Sequence, residues 1–160
     1  LGSVVVSVTT FHGGDAFNVI PQVAKLTGTV RTLSADIRLT AETRMKEIVE
    51  HTAATFGATA KFHYDKGYPT TDNHARQTDF AVEVARKVVG HDRVEPDTPP
   101  LMGGEDFSFM LNACPGAYIF VGQGDTAGVH HPEYDFNDEI IPIGCSYWAK
   151  IVETAMPLEK

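Results

Sequence analysis

The sequence predicts a mixed α/β chain built from two parts, each of them incomplete. Three observations carry this reading. Segments rich in β-branched residues end at glycine turns, one long stretch keeps a helical period, and a cluster of turn-formers at residues 66–70 separates this pattern from a second one. Before the boundary the order is strand, strand, helix, strand, which is what remains of a split βαβ (ferredoxin-like) domain without its first strand and helix. After it, helix, strand and helix fit the closing segment of an α/β layer structure. The expected division is therefore residues 1–66 and residues 67–160.

The elements follow in order. Val4 to Thr10 is dominated by β-branched residues and runs toward Gly13-Gly14, a strand entering a turn. Ala24 to Thr32 is a second strand, through Leu26, Thr29 and Val30. From Thr40 to Phe56 the period changes: Met45, Ile48, Val49, Thr52 and Phe56 recur at three- and four-residue steps, with Glu42, Lys46, Glu47 and Glu50 on other faces. Thr40 is the expected N-cap of this helix, and Gly57 its left-handed stop. Ala58 to Tyr64 alternates as a third strand, and all three strands are expected in one antiparallel sheet. Beyond the boundary, Asp79 to Val89 reads as a helix stopped by Gly90, and a short helix starts near Glu105. Ala117 to Val121 reads as an apolar strand, and Gly144 to Ala155 as a last helix.

Composition narrows the function classes. Hydrophobic residues make up 42% of the 160, enough for a packed core. The formal charge of -8 argues against nucleic acid or an anionic membrane as partner. The apolar runs are too short to span a bilayer, and no signal-peptide pattern opens the chain. Cys114 and Cys145 form no metal-binding spacing, and two thiols are too few for a disulfide scaffold, so a reduced, cytoplasmic setting is expected. The chain opens at Leu1 rather than Met, which reads as a piece of a longer protein.

Three polar clusters could carry chemistry. The loop Gly122 to Asp138 follows an apolar strand, where open α/β sheets place ligands, and it holds His130 and His131 before Pro132. Neutral imidazole suits zinc and similar ions, although one segment cannot complete a site of three or four ligands. In an extended segment the two rings would point to opposite sides, so one at most would face a metal. The second cluster places Gly103 and Gly104 before Glu105 and Asp106, at an expected helix start where acids are stabilised. The third offers Asn18 and Arg31, an amide and a guanidinium able to clamp a carboxylate.

Taken together the clusters match one family in order and wording. GGDAFNVIP (residues 13–21) and GTVRT (28–32), then GGEDFSFM (103–110), then VHHPEYDFNDEIIPIG (129–144) resemble the zinc-type amidohydrolases, a group with hippurate hydrolase, aminoacylase-like enzymes and auxin-conjugate hydrolases. The resemblance spans about Val4 to Glu153. It implies that residues 1–66 are the second half of a ferredoxin-like lid and dimerisation domain, and that residues 67–160 close an α/β metallopeptidase catalytic domain.

Site roles follow from the same resemblance. His130 takes the place of a metal ligand, with His131 at a variable position. Asn18 and Arg31 match lid residues that approach substrate, and Gly103, Gly104, Glu105 and Asp106 match the active-site floor. The family's Glu-Glu base, its other metal ligands and its lid histidine have no counterpart here, so no catalytic residue is expected within this chain. The implied activity is hydrolysis of the amide bond of N-acyl amino acids, using one or two divalent ions (zinc, or manganese, cobalt or nickel). A homodimer through the lid is implied, with no nucleic acid or membrane partner. The rival reading is a non-catalytic ferredoxin-like dimerisation or ligand-binding module.

Overall fold

The computed structural model describes residues 2–158. The chain divides into two compact units. The first comprises residues 1–71 with 100–109, and the second residues 72–99 with 110–160.

In the first unit, β1 (Val4–His12) and β2 (Lys25–Thr32) form an antiparallel hairpin, and α1 (Ala35–Thr55) packs mainly on β2. The register runs from Val4 opposite Thr32 to His12 opposite Lys25, with an irregularity between Val8 and Thr10. Val8 faces Gly28 and Thr10 faces Thr27, so Thr9 is the extra residue of a β-bulge. Its hydroxyl donates to the Thr27 carbonyl at 3.4 Å, and the Thr10 and Thr27 hydroxyls pair across the strands. The bulge explains Gly28. A Cβ there would lie 2.1 Å from the Ser7 carbonyl oxygen, a backbone atom that cannot swing aside.

Helix α1 starts earlier than its period suggests. Ser34, not Thr40, is the N-cap, and its hydroxyl accepts from the Ile37 N–H at 3.2 Å. Thr40 lies inside the helix and donates to the Asp36 carbonyl at 3.0 Å, the back-bond that hydroxyls make in helix interiors. The other end is as expected. Gly57 adopts φ +68°, its N–H bonds the Ala54 carbonyl and that of Ala58 bonds Ala53, a Schellman closure. Beyond it, Lys66 pairs with Glu42 at 3.1 Å and Arg38 donates to the Tyr68 carbonyl at 3.3 Å, tying residues 66–68 to α1.

The expected third strand is corrected. Ala58 to Tyr64 joins no ladder, and the sheet has two strands, not three. The period was real: Ala60, Phe62 and Tyr64 are half-buried, the residues between them are exposed, and the Phe62 and Tyr64 rings stand 6.2 Å apart on one side. Alternation reports an extended backbone; a strand also needs a neighbour, and none of the described residues supplies it.

In the second unit, α2 (Ala75–Val89) packs against α4 (Ile141–Ala155), burying Ala81, Val84 and Tyr147. Helix α3 (Phe107–Ala113) begins two residues after Glu105, with Phe107 to Phe109 counted in the first unit and the rest in the second. Helices α2 and α4 each begin a few residues before the expected start, because His74 and a 3₁₀ turn at Asp138–Ile140 lead into them; Pro142 then occupies the first turn of α4, where its missing N–H costs nothing. Gly90 ends α2 with φ +87°.

Ala117 to Val121 is likewise extended without a ladder, a second correction. A side chain stands in for the missing neighbour. The Asn73 amide donates to the Tyr118 carbonyl at 2.8 Å and accepts from the Tyr118 N–H at 2.7 Å, the pair of bonds a strand partner would make. His74 extends the pairing, since its N–H donates to the Gly116 carbonyl at 3.1 Å and its Nδ1 accepts from the Gly116 N–H at 3.2 Å.

Candidate functional site

The first unit gathers Arg31 and the double-glycine segment. Arg31 stands on β2 opposite Val5, half-buried, and among the described residues it has no ion-pair partner; its one hydrogen bond goes to its own Val30 carbonyl, at 3.3 Å. Gly104 lies against it. A Cβ on Gly104 would meet the guanidinium carbon and Nε at 3.8 Å and the Tyr68 ring at 3.5 Å. Tyr68 in turn meets Phe109 edge to face, with centroids 6.0 Å apart. A guanidinium taken partly out of water without a counter-charge has lost solvation that an anion can restore.

Glu105 and Asp106 lead into α3. The Glu105 carboxylate accepts from the Phe107 N–H at 3.2 Å, and its carbonyl accepts from the Ser108 hydroxyl at 2.7 Å. Ser108 is fully buried. Asp106 offers its carbonyl to the Phe109 N–H at 3.0 Å. The Glu105 carboxylate and the Asp106 main chain thus help start the helix.

Asn18 is placed apart from Arg31 along the hairpin. It sits in a turn of the exposed β1–β2 connection, whereas Arg31 lies six residues up β2 from Lys25, about 20 Å at 3.4 Å per residue. No hydrogen bond links the two among the described residues.

His130 belongs to the second unit, in the loop between residues 122 and 137. The expected extended backbone here is corrected, because the loop is two successive turns sharing His131. The His131 N–H donates to the Gly128 carbonyl at 3.1 Å, and the Tyr134 N–H to the His131 carbonyl at 3.0 Å. His130 occupies the third position of the first turn with φ +71°, the one non-glycine residue in the left-handed region among those described. Such a conformation costs a bulky residue roughly 1–3 kcal/mol and tends to be kept where a side chain must be aimed. Its imidazole is exposed and makes no hydrogen bond among the described residues, while the His131 Nδ1 accepts from the Glu133 N–H at 3.1 Å. The two rings differ through the turns, not through alternation.

Metal binding can be tested on these donors. Among the described residues no group of three or more His, Cys, Asp or Glu side chains could hold an ion. His130 alone, unpartnered and exposed, has the chemistry of a single ligand. A complete centre does not fit on the described residues.

The Peptidase family M20/M25/M40 model matches residues 3–154. The chain belongs to this family. The resemblance drawn from the three motifs thus holds. The M20 chain is similar to the N-acetylcysteine deacetylase of Bacillus subtilis, 32% identical over 151 residues that cover 94% of this chain and 39% of the relative. The hippurate hydrolase of Campylobacter jejuni is 34% identical and covers 93% and 39%. IAA-amino acid hydrolase ILR1-like 4 of Arabidopsis thaliana is 33% identical and covers 94% and 36%. Among solved structures, Bacillus subtilis YXEP, described as a dinuclear metal-binding peptidase of the M20 family, superposes with a TM-score of 0.80 at 31% identity, covering 95% of this chain and 42% of that one. The M20 chain therefore spans about two fifths of the length of the relatives it matches. No helix among its described residues is long and apolar enough to cross a membrane.

Reasoning from sequence missed the side chains that hold this loop. Gln123 and Asn137 lie at its two ends and bond each other's main chain: Asn137 Nδ2 donates to the Gln123 carbonyl at 3.1 Å, and the Asn137 N–H to Gln123 Oε1 at 3.4 Å. The available signal was a pair of amides flanking a glycine-rich loop. It is weak, since most loop amides are solvated.

Proposed function

We propose that this chain is part of a metal-dependent amidohydrolase that cleaves the amide bond of N-acyl amino acids to a carboxylic acid and a free amino acid. The observation that carries the reading is Arg31, half-buried, without an ion-pair partner among the described residues, and lying against the bare backbone of Gly104. It suits the carboxylate left free on an N-acyl amino acid, and the relatives named for such substrates support it. Arg31 holds that carboxylate by two parallel charge-assisted bonds. Asn18 is proposed as an amide donor to a substrate oxygen, but from its turn about 20 Å along the hairpin it does not share the carboxylate held by Arg31. Gly103-Gly104 let the ligand approach the floor that Glu105 and Asp106 anchor.

His130 is proposed as one metal ligand, supported by its aimed, left-handed backbone and its free ring. One or two divalent ions, zinc or manganese, cobalt or nickel, would lower the pKa of a bound water when present. Their remaining ligands and the general base would come from residues outside this chain. Assembly as a homodimer through the first unit and residence in the cytoplasm belong to the same proposal.

The test uses the intact protein and matched substrates. Arg31→Ala should lower kcat/KM on an N-acyl amino acid by about tenfold to a hundredfold, the loss of one charged contact worth roughly 1.5–3 kcal/mol. The corresponding methyl ester should lose much less. Equal losses on acid and ester would remove the carboxylate assignment. Metal analysis addresses His130 separately: His130→Ala should lose bound metal and His131→Ala keep it, and full occupancy in His130→Ala would overturn the ligand assignment.

A further inference from the structure

The loop that carries His130 is closed at its base by one side chain, which the proposed chemistry does not use. Gln123 is half-buried at the end of the extended segment that enters the loop. Its amide nitrogen donates to Thr126 Oγ1 at 2.8 Å and to the Asp135 carbonyl at 3.4 Å. Its Oε1 accepts from the Tyr134 hydroxyl and from the Asn137 N–H, both at 3.4 Å, and its carbonyl accepts from Asn137 Nδ2. Asn137 completes the connection: its Oδ1 accepts from the Glu139 N–H at 3.0 Å, capping the 3₁₀ turn that leads into α4.

These bonds have one geometric consequence. They join the entering arm of the loop (Gln123 and Thr126) to the leaving arm (Tyr134, Asp135 and Asn137), so residues 127–133 form a closed excursion pinned at its neck. The first turn, Gly128 to His131, lies inside that excursion and holds the left-handed backbone of His130, and the second runs from His131 to Tyr134 in the leaving arm. A strained backbone persists only where its surroundings over-determine it. With the neck open, the turns would relax and the His130 ring would lose its fixed direction.

We infer that Gln123 is a positioning residue for His130, clasping the loop through Tyr134, Asp135 and Asn137. Its relevance to a metal rests on the proposed role of His130, but its effect on the loop does not. The intact protein lets the two be separated. Gln123→Met keeps the side-chain length and removes its hydrogen bonds. By amide hydrogen exchange, His131 and Tyr134 should exchange about tenfold faster in this variant while α2 and α4 keep their rates, because only the local opening becomes easier. Gln123→Glu, which keeps the acceptor toward Asn137 and Tyr134 and loses both donations, should fall between. Should Gln123→Met fail to fold, Asn137→Asp keeps the Glu139 cap, removes the donation to the Gln123 carbonyl, and should show the same local acceleration. Unchanged loop exchange in the folded variants, or acceleration spread equally over α2 and α4, would refute the clasp.

The second readout is zinc affinity by chelator competition. Gln123→Met should weaken it by about tenfold, as loss of a ligand-orienting partner does, with Gln123→Glu intermediate. If His130→Ala leaves zinc affinity untouched, the ligand assignment falls and exchange alone decides the clasp. If His130→Ala abolishes binding while Gln123→Met leaves affinity unchanged, the positioning role falls.

Discussion

Helices α1 and α2 differ in how sharply their apolar residues gather on one face, weakly in α1 and strongly in α2, and they are packed differently. Over its 21 residues α1 has no buried side chain, and Ile48 and Phe56 from its apolar stripe are 56% and 82% exposed. The shorter α2 buries Ala81 and Val84 completely or nearly so. Part of the difference lies in the helices themselves, and part in the partners. Helix α2 meets another helix, α4, which carries the buried Tyr147, whereas α1 lies on a two-stranded hairpin with only residues 66–68 tied to its other side chains among the described residues. Periodicity belongs to a helix, but burial belongs to the pair, and a sequence states the first without the second.

The sharpest way to break this comparison is to truncate one stripe residue in each helix. Val84→Ala should cost about 2–3 kcal/mol, since it removes two methyl groups from a fully enclosed site and leaves a cavity. Ile48→Ala should change stability by no more than about 0.5 kcal/mol, because most of that side chain is already in water. Denaturant unfolding of the two variants gives both values. Equal losses would mean that α1 is covered in solution by something outside this chain, and the contrast between the helices would disappear.

The hairpin beneath α1 should be less forgiving than the helix on it. Gly28→Ala places a methyl group against the Ser7 carbonyl, and either the bulge shifts or the strands part; a cost of about 1–3 kcal/mol is expected. Gly67→Ala is the control, for a Cβ there meets nothing within 4 Å. Thermal unfolding that treats the two alike would show that the bulge is not fixed at Thr9.

What could be read in the sequence was local, and what could not was relational. The glycine stops at Gly57 and Gly90 were legible because a left-handed residue after a helix has one obvious occupant. The start of α1 was not, because Ser34 and Thr40 are both good caps and only the structure shows which one meets an N–H. Ala58 to Tyr64 and Ala117 to Val121 read as strands by pattern and are not, because pairing depends on a neighbour elsewhere in the chain. Of the site, Arg31, Gly104 and His130 stood out through motif order. The contact between Arg31 and Gly104 joins residues 73 positions apart, and the Gln123 clasp depends on loop closure, so neither has a local signature.

The choice between the two caps gives a smaller test. Ser34→Ala should destabilise by about 1 kcal/mol through loss of the bond to the Ile37 N–H. Thr40→Ala should be near neutral or slightly stabilising, since alanine is the better helix former by up to about 0.7 kcal/mol and the back-bond to Asp36 satisfies a carbonyl already bonded in the helix. The opposite ranking in urea would place the helix start at Thr40 after all.

The smallest expected effect sits at the partner that α2 has and α1 lacks. Tyr147 is buried on α4, with its ring edge-on to Trp148 at 5.6 Å, and burial pushes its phenol pKa above the ordinary value. Charging the phenol is therefore harder in the folded chain than in the unfolded one. The sign follows: the stability this group confers is fully present below the unfolded pKa of about 10 and is lost as pH rises through the higher folded value. At pH 7 Tyr147→Phe should shift stability by no more than about 0.5 kcal/mol, because the ring and its packing remain. Above about pH 10 the wild type should lose stability more steeply than the variant, since only the wild type gains by releasing that proton on unfolding. Unfolding curves at neutral and alkaline pH measure the difference. Parallel pH profiles for the two proteins would mean that Tyr147 titrates as freely in the folded state as in the unfolded one, and that the α2–α4 contact is looser than its burial implies.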